Sequence, residues 1–245
     1  QNPPLKTWRG SPANVPAAQR AFYHRARMNS LAAQGKYRTE LEKQGYAVKE
    51  LNLFSEGKIP ADAAVVIVGG PHKAFFPKEL EILGSWIKDG GHAVLAVDLD
   101  LDESGLAKGS KQLAELVKPY GVNVMNEMLV DPTSKMANVE AQVLLGFAAN
   151  GHQITKDFPH SAVAANFLFP LTTYLTRTES AAATVTPLAN TTQNAWAETD
   201  WGSLRQGRAT FDPGKDHQGK MDLAYAIEGK TPAGQRPSAR AVKLT

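Results

Sequence analysis

The sequence predicts an α/β fold built on a mostly parallel sheet with flanking helices. Three observations carry that expectation. Two apolar runs, Ala63–Val68 and Ala93–Val97, are short, β-branched and nearly continuous, the pattern of strands covered on both faces. Between them Pro77–Asp89 places Leu80, Leu83, Trp86 and Ile87 at helical spacing, and Gly90-Gly91 supplies a left-handed stop. Strand, helix and strand in that order form one right-handed crossover, so the two runs are expected side by side and parallel, with the helix packed across them.

Taken in order, the chain opens with a proline-bearing stretch and a weakly amphipathic segment, so residues 1–34 are expected to form an irregular or helical arm. Gly35–Gln44 suits a helix that stops at Gly45, and Tyr46–Leu53 alternates like a strand. After the crossover, the acidic stretch 99–109 has the character of a loop. A helix is expected from Ser110 to Tyr120, stopped by Gly121, with short strands at Val122–Val124 and Met128–Val130. Residues 35–132 thus make the α/β core. From 133 the character changes. Met136–Phe147 fits a strand pair or a buried helix equally well. Apolar pieces at Val163–Phe169 and Leu171–Leu175, and strand-like runs at Thr184–Leu188, Leu223–Glu228 and Ala239–Leu244, mark residues 133–245 as a more β-rich second lobe whose strands complete or extend the sheet. Gly202–Gly219 has the composition of a long loop.

Composition narrows the function classes. The 245 residues are 42% hydrophobic and 21% charged, ordinary for a globular protein, and the net charge is +3. Lys and Arg are scattered instead of gathered into a patch, which disfavours nucleic acid as a partner. The absence of cysteine removes disulfides, thiolate metal sites and cysteine nucleophiles together.

The candidate chemistry gathers behind the two central strands. Gly69, Gly70 and His72 leave the first run at the carboxyl edge where open α/β sheets receive ligands. The glycines offer backbone amides and the histidine a polar contact, although a tight turn alone also calls for glycine. Asp98 and Asp100, followed by Asp102 and Glu103, leave the second run and offer oxygen ligands for a hard cation. A calcium loop would need a central glycine and a glutamate at its twelfth position, and both are missing, so a solvated acidic loop is preferred. The six histidines show no paired zinc spacing, and no metal site or cofactor is expected. Phosphate-loop and nucleophile-elbow motifs are absent too, Ser104 and Ser161 lack an elbow context, and no catalytic residue is assigned. Phe75 and Phe76 stand beside the first loop, and at least one is expected to be exposed as an anchor. Trp196 and Trp201, in NAWAETDWG, suit either a sugar- or protein-recognising surface or the core.

The succession GYAVKELNL, IPADAAVVIVGGP, PKELEILGSWIKDGGHAVLAVD and LAELVKPYGV, with Val130-Asp131 beyond it, resembles the GldG-type family. Later pieces fit as well: ITKDFP, TPLANTTQNAWAE, LAYAIEGK and RAVKLT. The members of that family are extracytoplasmic auxiliary subunits of ABC transporters associated with bacterial gliding motility. The family's opening Gly-His-Gly-Glu-like turn has no counterpart here. The pattern is also similar to the amino-terminal domain of an intraflagellar transport subunit and, more distantly, to glutamine-amidotransferase-like domains. The resemblance implies a Rossmann/flavodoxin-like (glutamine-amidotransferase-like) sheet. It further implies a non-enzymatic ligand- or protein-binding scaffold domain on the extracytoplasmic (periplasmic) face of the bacterial inner membrane, held there by anchors outside this chain. Its partners would be ABC-transporter permease and ATPase subunits or another envelope protein. The alternatives are a hydrolase or transferase using the strand edge at Gly69–His72 with Asp98, and a carbohydrate-binding module. With no cysteine, the amidotransferase nucleophile is missing, so that analogy does not bring its activity along.

Overall fold

The computed structural model describes residues 38–136, 143–159 and 167–229. The expected arm at 1–34, the strand at Ala239–Leu244 and Ser161 lie outside the described residues, as do parts of the runs expected at Gly35–Gln44, Met136–Phe147 and Val163–Phe169. By its contacts the chain divides into two units, one comprising residues up to Leu51 with Asp200–Thr210, the other Asn52–Thr199 with the residues from Phe211 onward. In the first unit, residues 38–43 are helical and laced by Arg38–Glu42 and Lys43–Glu40 pairs.

The second unit begins with a helical turn, α1 (Leu53–Glu56), capped by the Asn52 side chain. The strand expected at Tyr46–Leu53 does not form: residues 46–52 carry no regular structure, and Leu53 opens α1. The crossover follows as β1 (Val65–Gly69), α2 (Pro77–Lys88) and β2 (His92–Ala96). Pro77 sits in the first turn of α2, and Glu79 reaches back to accept the Phe76 N–H at 2.8 Å. The two strands pair in parallel, from Val65 opposite His92 to Gly69 opposite Ala96.

Beyond β2 the acidic stretch is a small hairpin, β3 (Leu99–Asp100) against β4 (Gly105–Leu106), and not a plain loop. Next comes α3 (Lys108–Val117), extended by a 3₁₀ turn to Tyr120. A methyl group at Gly84 of α2 would stand 3.1 Å from Leu116, so α2 and α3 pack closely there. The remaining strands are β5 (Val122–Val124), β6 (Met128–Val130), β7 (Val143–Ala148), β8 (Phe167–Pro170), β9 (Leu175–Arg177), β10 (Ala183–Asn190), β11 (Trp196–Glu198), β12 (His217–Gln218) and β13 (Asp222–Gly229). Six of them form one sheet in the order β5-β9-β13-β10-β7-β8, and a three-stranded sheet runs β12-β11-β6, every neighbouring pair antiparallel. Leu129, Leu144, Ala189, Ala195, Ala197, Met221 and Leu223 form one buried cluster joining residues of both sheets.

These strands overturn the Rossmann/flavodoxin-like (glutamine-amidotransferase-like) expectation of a mostly parallel sheet. β1 and β2 are the only parallel strand pair among the described residues, and the largest sheet is antiparallel and six-stranded. The connections give the physical reason. Parallel neighbours need a crossover of a dozen residues or more, usually a helix such as α2 between β1 and β2. The described helices beyond α3, Thr133–Met136 and Trp201–Arg205, are four and five residues long, too short to span a sheet. Nor are the two central runs buried on both faces. Exposure alternates along β1, with Val66 buried while Val65 and Ile67 are 50% and 51% exposed, and Val94 on β2 is 54% exposed. The register puts Val65, Ile67 and Val94 on one face of the pair. A continuous apolar run therefore stands here on a sheet covered on one side.

Candidate functional site

The carboxyl ends of β1 and β2 bring together most of the residues singled out in the sequence. Gly70 has φ of +52°, and its N–H donates to the Ala96 carbonyl at 3.1 Å, tying the first loop to the end of β2. A Cβ at Gly70 would overlap the Asp98 carboxylate, so only glycine lets that side chain lie over the turn. The first turn of α3 holds both loops. Ser110, fully buried, accepts the Asp98 N–H on its hydroxyl at 2.9 Å and donates its own N–H to the Pro71 carbonyl at 3.0 Å. Gly109 has no side chain to block the Pro71 and Lys73 carbonyls, which pass directly against it.

Into this frame projects His72. Its Nε2 lies 3.4 Å from Asp98 Oδ2, and its Nδ1 lies 3.5 Å from Asp100 Oδ2 on the β3 hairpin. The hydrogen bond to Asp98 raises the pKa of the imidazole above 6.5. Partial desolvation opposes that shift, and the charges of Asp98 and Asp100 add to it. The two nitrogens lie on different edges of the ring and face different carboxylates. The three side chains therefore do not converge on a point, and among the described residues no such cluster is arranged to hold a metal ion. Ser104, beside this site, occupies the hairpin turn with φ of +50°.

The aromatic residues divide. Phe75 is half-buried, and its backbone is clasped by Gln112, which accepts the Phe75 N–H at 2.7 Å and donates to its carbonyl at 3.3 Å. Phe76 turns outward, 59% exposed, and its ring lies tilted at 40° against Phe54, itself 70% exposed, with 5.1 Å between ring centroids. Phe54 was not singled out in the sequence. It lies just past the stretch expected as a strand, Tyr46–Leu53, and its ring partner lies on another element. Trp196 is half-buried on β11, with its indole N–H directed to Glu198 at 3.4 Å and its ring edge on Phe211. Trp201 is half-buried at the start of the short helix Trp201–Arg205 and belongs to the other unit.

Two polar networks inside the antiparallel region also escaped the sequence reading. Asp131, fully buried, accepts from the Thr133 N–H at 2.9 Å and the Thr192 hydroxyl at 2.7 Å, and Asn194 donates its backbone N–H to the same Thr192 oxygen. Asp222 accepts from Asn190 and, at 2.6 Å, from the Tyr225 hydroxyl. Burial, followed by the Asp222 contact, pushes the Tyr225 phenol far above its usual 10. Both networks fasten neighbouring segments of the antiparallel region to one another.

Among the described residues, no helix is long and apolar enough to cross a membrane. The fold shows a likeness to the mmIFT52 N-terminal domain, with a TM-score of 0.42 and 16% identity over 68% of this chain and 67% of that one, and no functional reading rests on it. Short stretches match fructose-bisphosphate aldolases. The non-muscle type of Lethenteron camtschaticum is 64% identical over 33 residues, and a chloroplastic enzyme of Chlamydomonas reinhardtii is 62% identical over 37. The chain spans only 9% and 10% of the length of those relatives and 14% and 15% of its own is involved, so they bring no activity to it. The family described as an ABC-type uncharacterized transport system, with the short name ABC_transp_aux, matches from residue 24 to 243. Its match covers nearly the whole chain, which belongs to this family of auxiliary proteins of ABC transport systems.

Proposed function

We propose that the chain is a non-enzymatic recognition and scaffold domain of a membrane-anchored auxiliary protein of the gliding-motility-associated kind, working on the extracytoplasmic face of a bacterial inner membrane. Family membership supports the transport setting. The observation that carries the recognition reading is the exposed Phe54–Phe76 ring pair at the amino end of α2. Two large rings left in water at one spot forgo burial that the fold would otherwise gain, and such aromatic pairs are the usual anchors of protein contacts. The partner expected there is a permease or ATPase-bearing complex of the same transport system, and ATP hydrolysis belongs to that complex.

The test is retention of the purified chain on the detergent-solubilised permease–ATPase complex encoded beside its gene. Wild type should be retained, and the Phe54→Ser/Phe76→Ser variant should lose about tenfold in affinity, the scale of one hot-spot contact. Equal retention of both, with both folded, removes the aromatic pair from the interface. Turnover of ATP by the chain alone, abolished by His72→Ala, would replace the proposal with an enzymatic one.

A further inference from the structure

Each of the three groups at the strand edge is carried by a different part of the backbone, and two of those parts are fixed independently of the histidine. Asp98 is held through its N–H by Ser110, and Asp100 belongs to the β3 strand of the hairpin. The loop that bears His72 is anchored at both ends, by Pro71 on Ser110 and by Phe75 on Gln112, while residues His72–Ala74 between those anchors are exposed. We infer that the His72 imidazolium is a pH-dependent clasp that fastens the loop after β1 to both the end of β2 and the β3 hairpin.

The placement between two carboxylates favours the charged form. A neutral imidazole has one N–H and one lone pair, so it satisfies one carboxylate and turns its lone pair on the other. Only the imidazolium donates on both edges, and both ring nitrogens stand within 3.5 Å of a carboxylate oxygen. Other charges lie on the same elements: Lys73 follows His72, and Lys108 at the start of α3 pairs with Glu103 of the hairpin turn at 3.2 Å. Among the charges acting on His72, Asp98 and Asp100 are the two that shift it, and both act upward. A group whose pKa is higher folded than unfolded adds stability that is complete below the unfolded value of 6.5 and vanishes as pH rises through the folded value. The clasp is therefore closed below 6.5 and opens as pH rises through the raised folded value, leaving the edge more negative. It is independent of which partner the chain meets.

The test is an NMR titration of the His72 ring in wild type, Asp98→Asn and Asp100→Asn, with amide hydrogen exchange of His72–Ala74 followed across the same pH range. The wild-type ring should titrate above 6.5 and each variant below wild type. Protection of the loop, corrected for the intrinsic pH dependence of exchange, should fall through the same transition, and His72→Gln should abolish that fall. A wild-type titration at or below 6.5, no change in Asp100→Asn, or loop protection that ignores pH would each overturn the clasp.

Discussion

The β1–α2–β2 crossover and the antiparallel region are built from similar apolar residues and put them to different use. In the antiparallel region Leu129 and Leu144 are fully buried and gather with residues of both sheets in one cluster. In the crossover every second residue of the strand pair faces outward, and Val65, Ile67 and Val94 remain about half in water. The polar groups divide likewise. Asp131 is sealed among hydroxyls and amides of the core, whereas His72 and Asp98 meet at an edge with about half of each side chain exposed. Cohesion is concentrated in one region and the accessible chemistry in the other, so a change of equal size should have unequal effects in the two.

Leucine or isoleucine truncation gives the largest expected contrast. Leu129→Ala deletes fully buried methyl groups and leaves a cavity, at a cost of about 2–5 kcal/mol. Ile67→Ala removes similar carbon from a half-exposed face and should cost no more than about 1 kcal/mol. Urea midpoints of the two variants measure both. Equal losses would mean that the outer face of β1 is covered in solution, and the contrast between the regions would disappear.

How much of this was legible depends on whether the signal was local. The crossover was readable because its punctuation is local: Pro77 opens α2, and Gly90, at φ of +95°, follows its end. Parallel pairing of the two runs then followed from handedness and connection length, and it is found. The sheet class was misread because a continuous run such as AAVVIV states that residues are apolar and not that a second layer covers them. The antiparallel partners are distant in sequence, Val124 with Leu175 and Val130 with Trp196, and no local period encodes such a register. The site follows the same division. His72, Asp98 and Asp100 could be grouped because loops leaving one strand edge converge. Phe54 on Phe76, and Asp131 on Thr192, are tertiary contacts between segments that nothing in the sequence pairs.

A middle-sized effect lies in the central strands. Tyr225→Phe removes a hydroxyl donated to the Asp222 carboxylate and should cost about 1.5 kcal/mol at neutral pH. The sign with pH is fixed by the raised phenol. The unfolded chain ionises near 10 while the folded one resists, so wild type loses this stabilisation as pH climbs beyond 10. The gap between wild type and Tyr225→Phe should therefore narrow above pH 10 in thermal melts. A gap that stays constant or widens would place the hydroxyl outside the Asp222 contact.

The smallest effect on stability is expected where the largest effect on binding is proposed. Phe76 is the residue before α2, its backbone N–H is satisfied by Glu79, and its ring touches Phe54 while both remain mostly in water. Phe76→Ala keeps that backbone contact and gives up only an exposed ring pair, about 0.5 kcal/mol. A double-mutant cycle with Phe54→Ala isolates the pair, and the coupling should be of the same size. Coupling above about 2 kcal/mol would make the ring pair a structural clamp between α1 and α2, and the rings would then be kept for the fold. Small coupling together with lost retention on the transport complex would assign the same rings to the partner, because side chains that add little to folding and much to association are the mark of an interface.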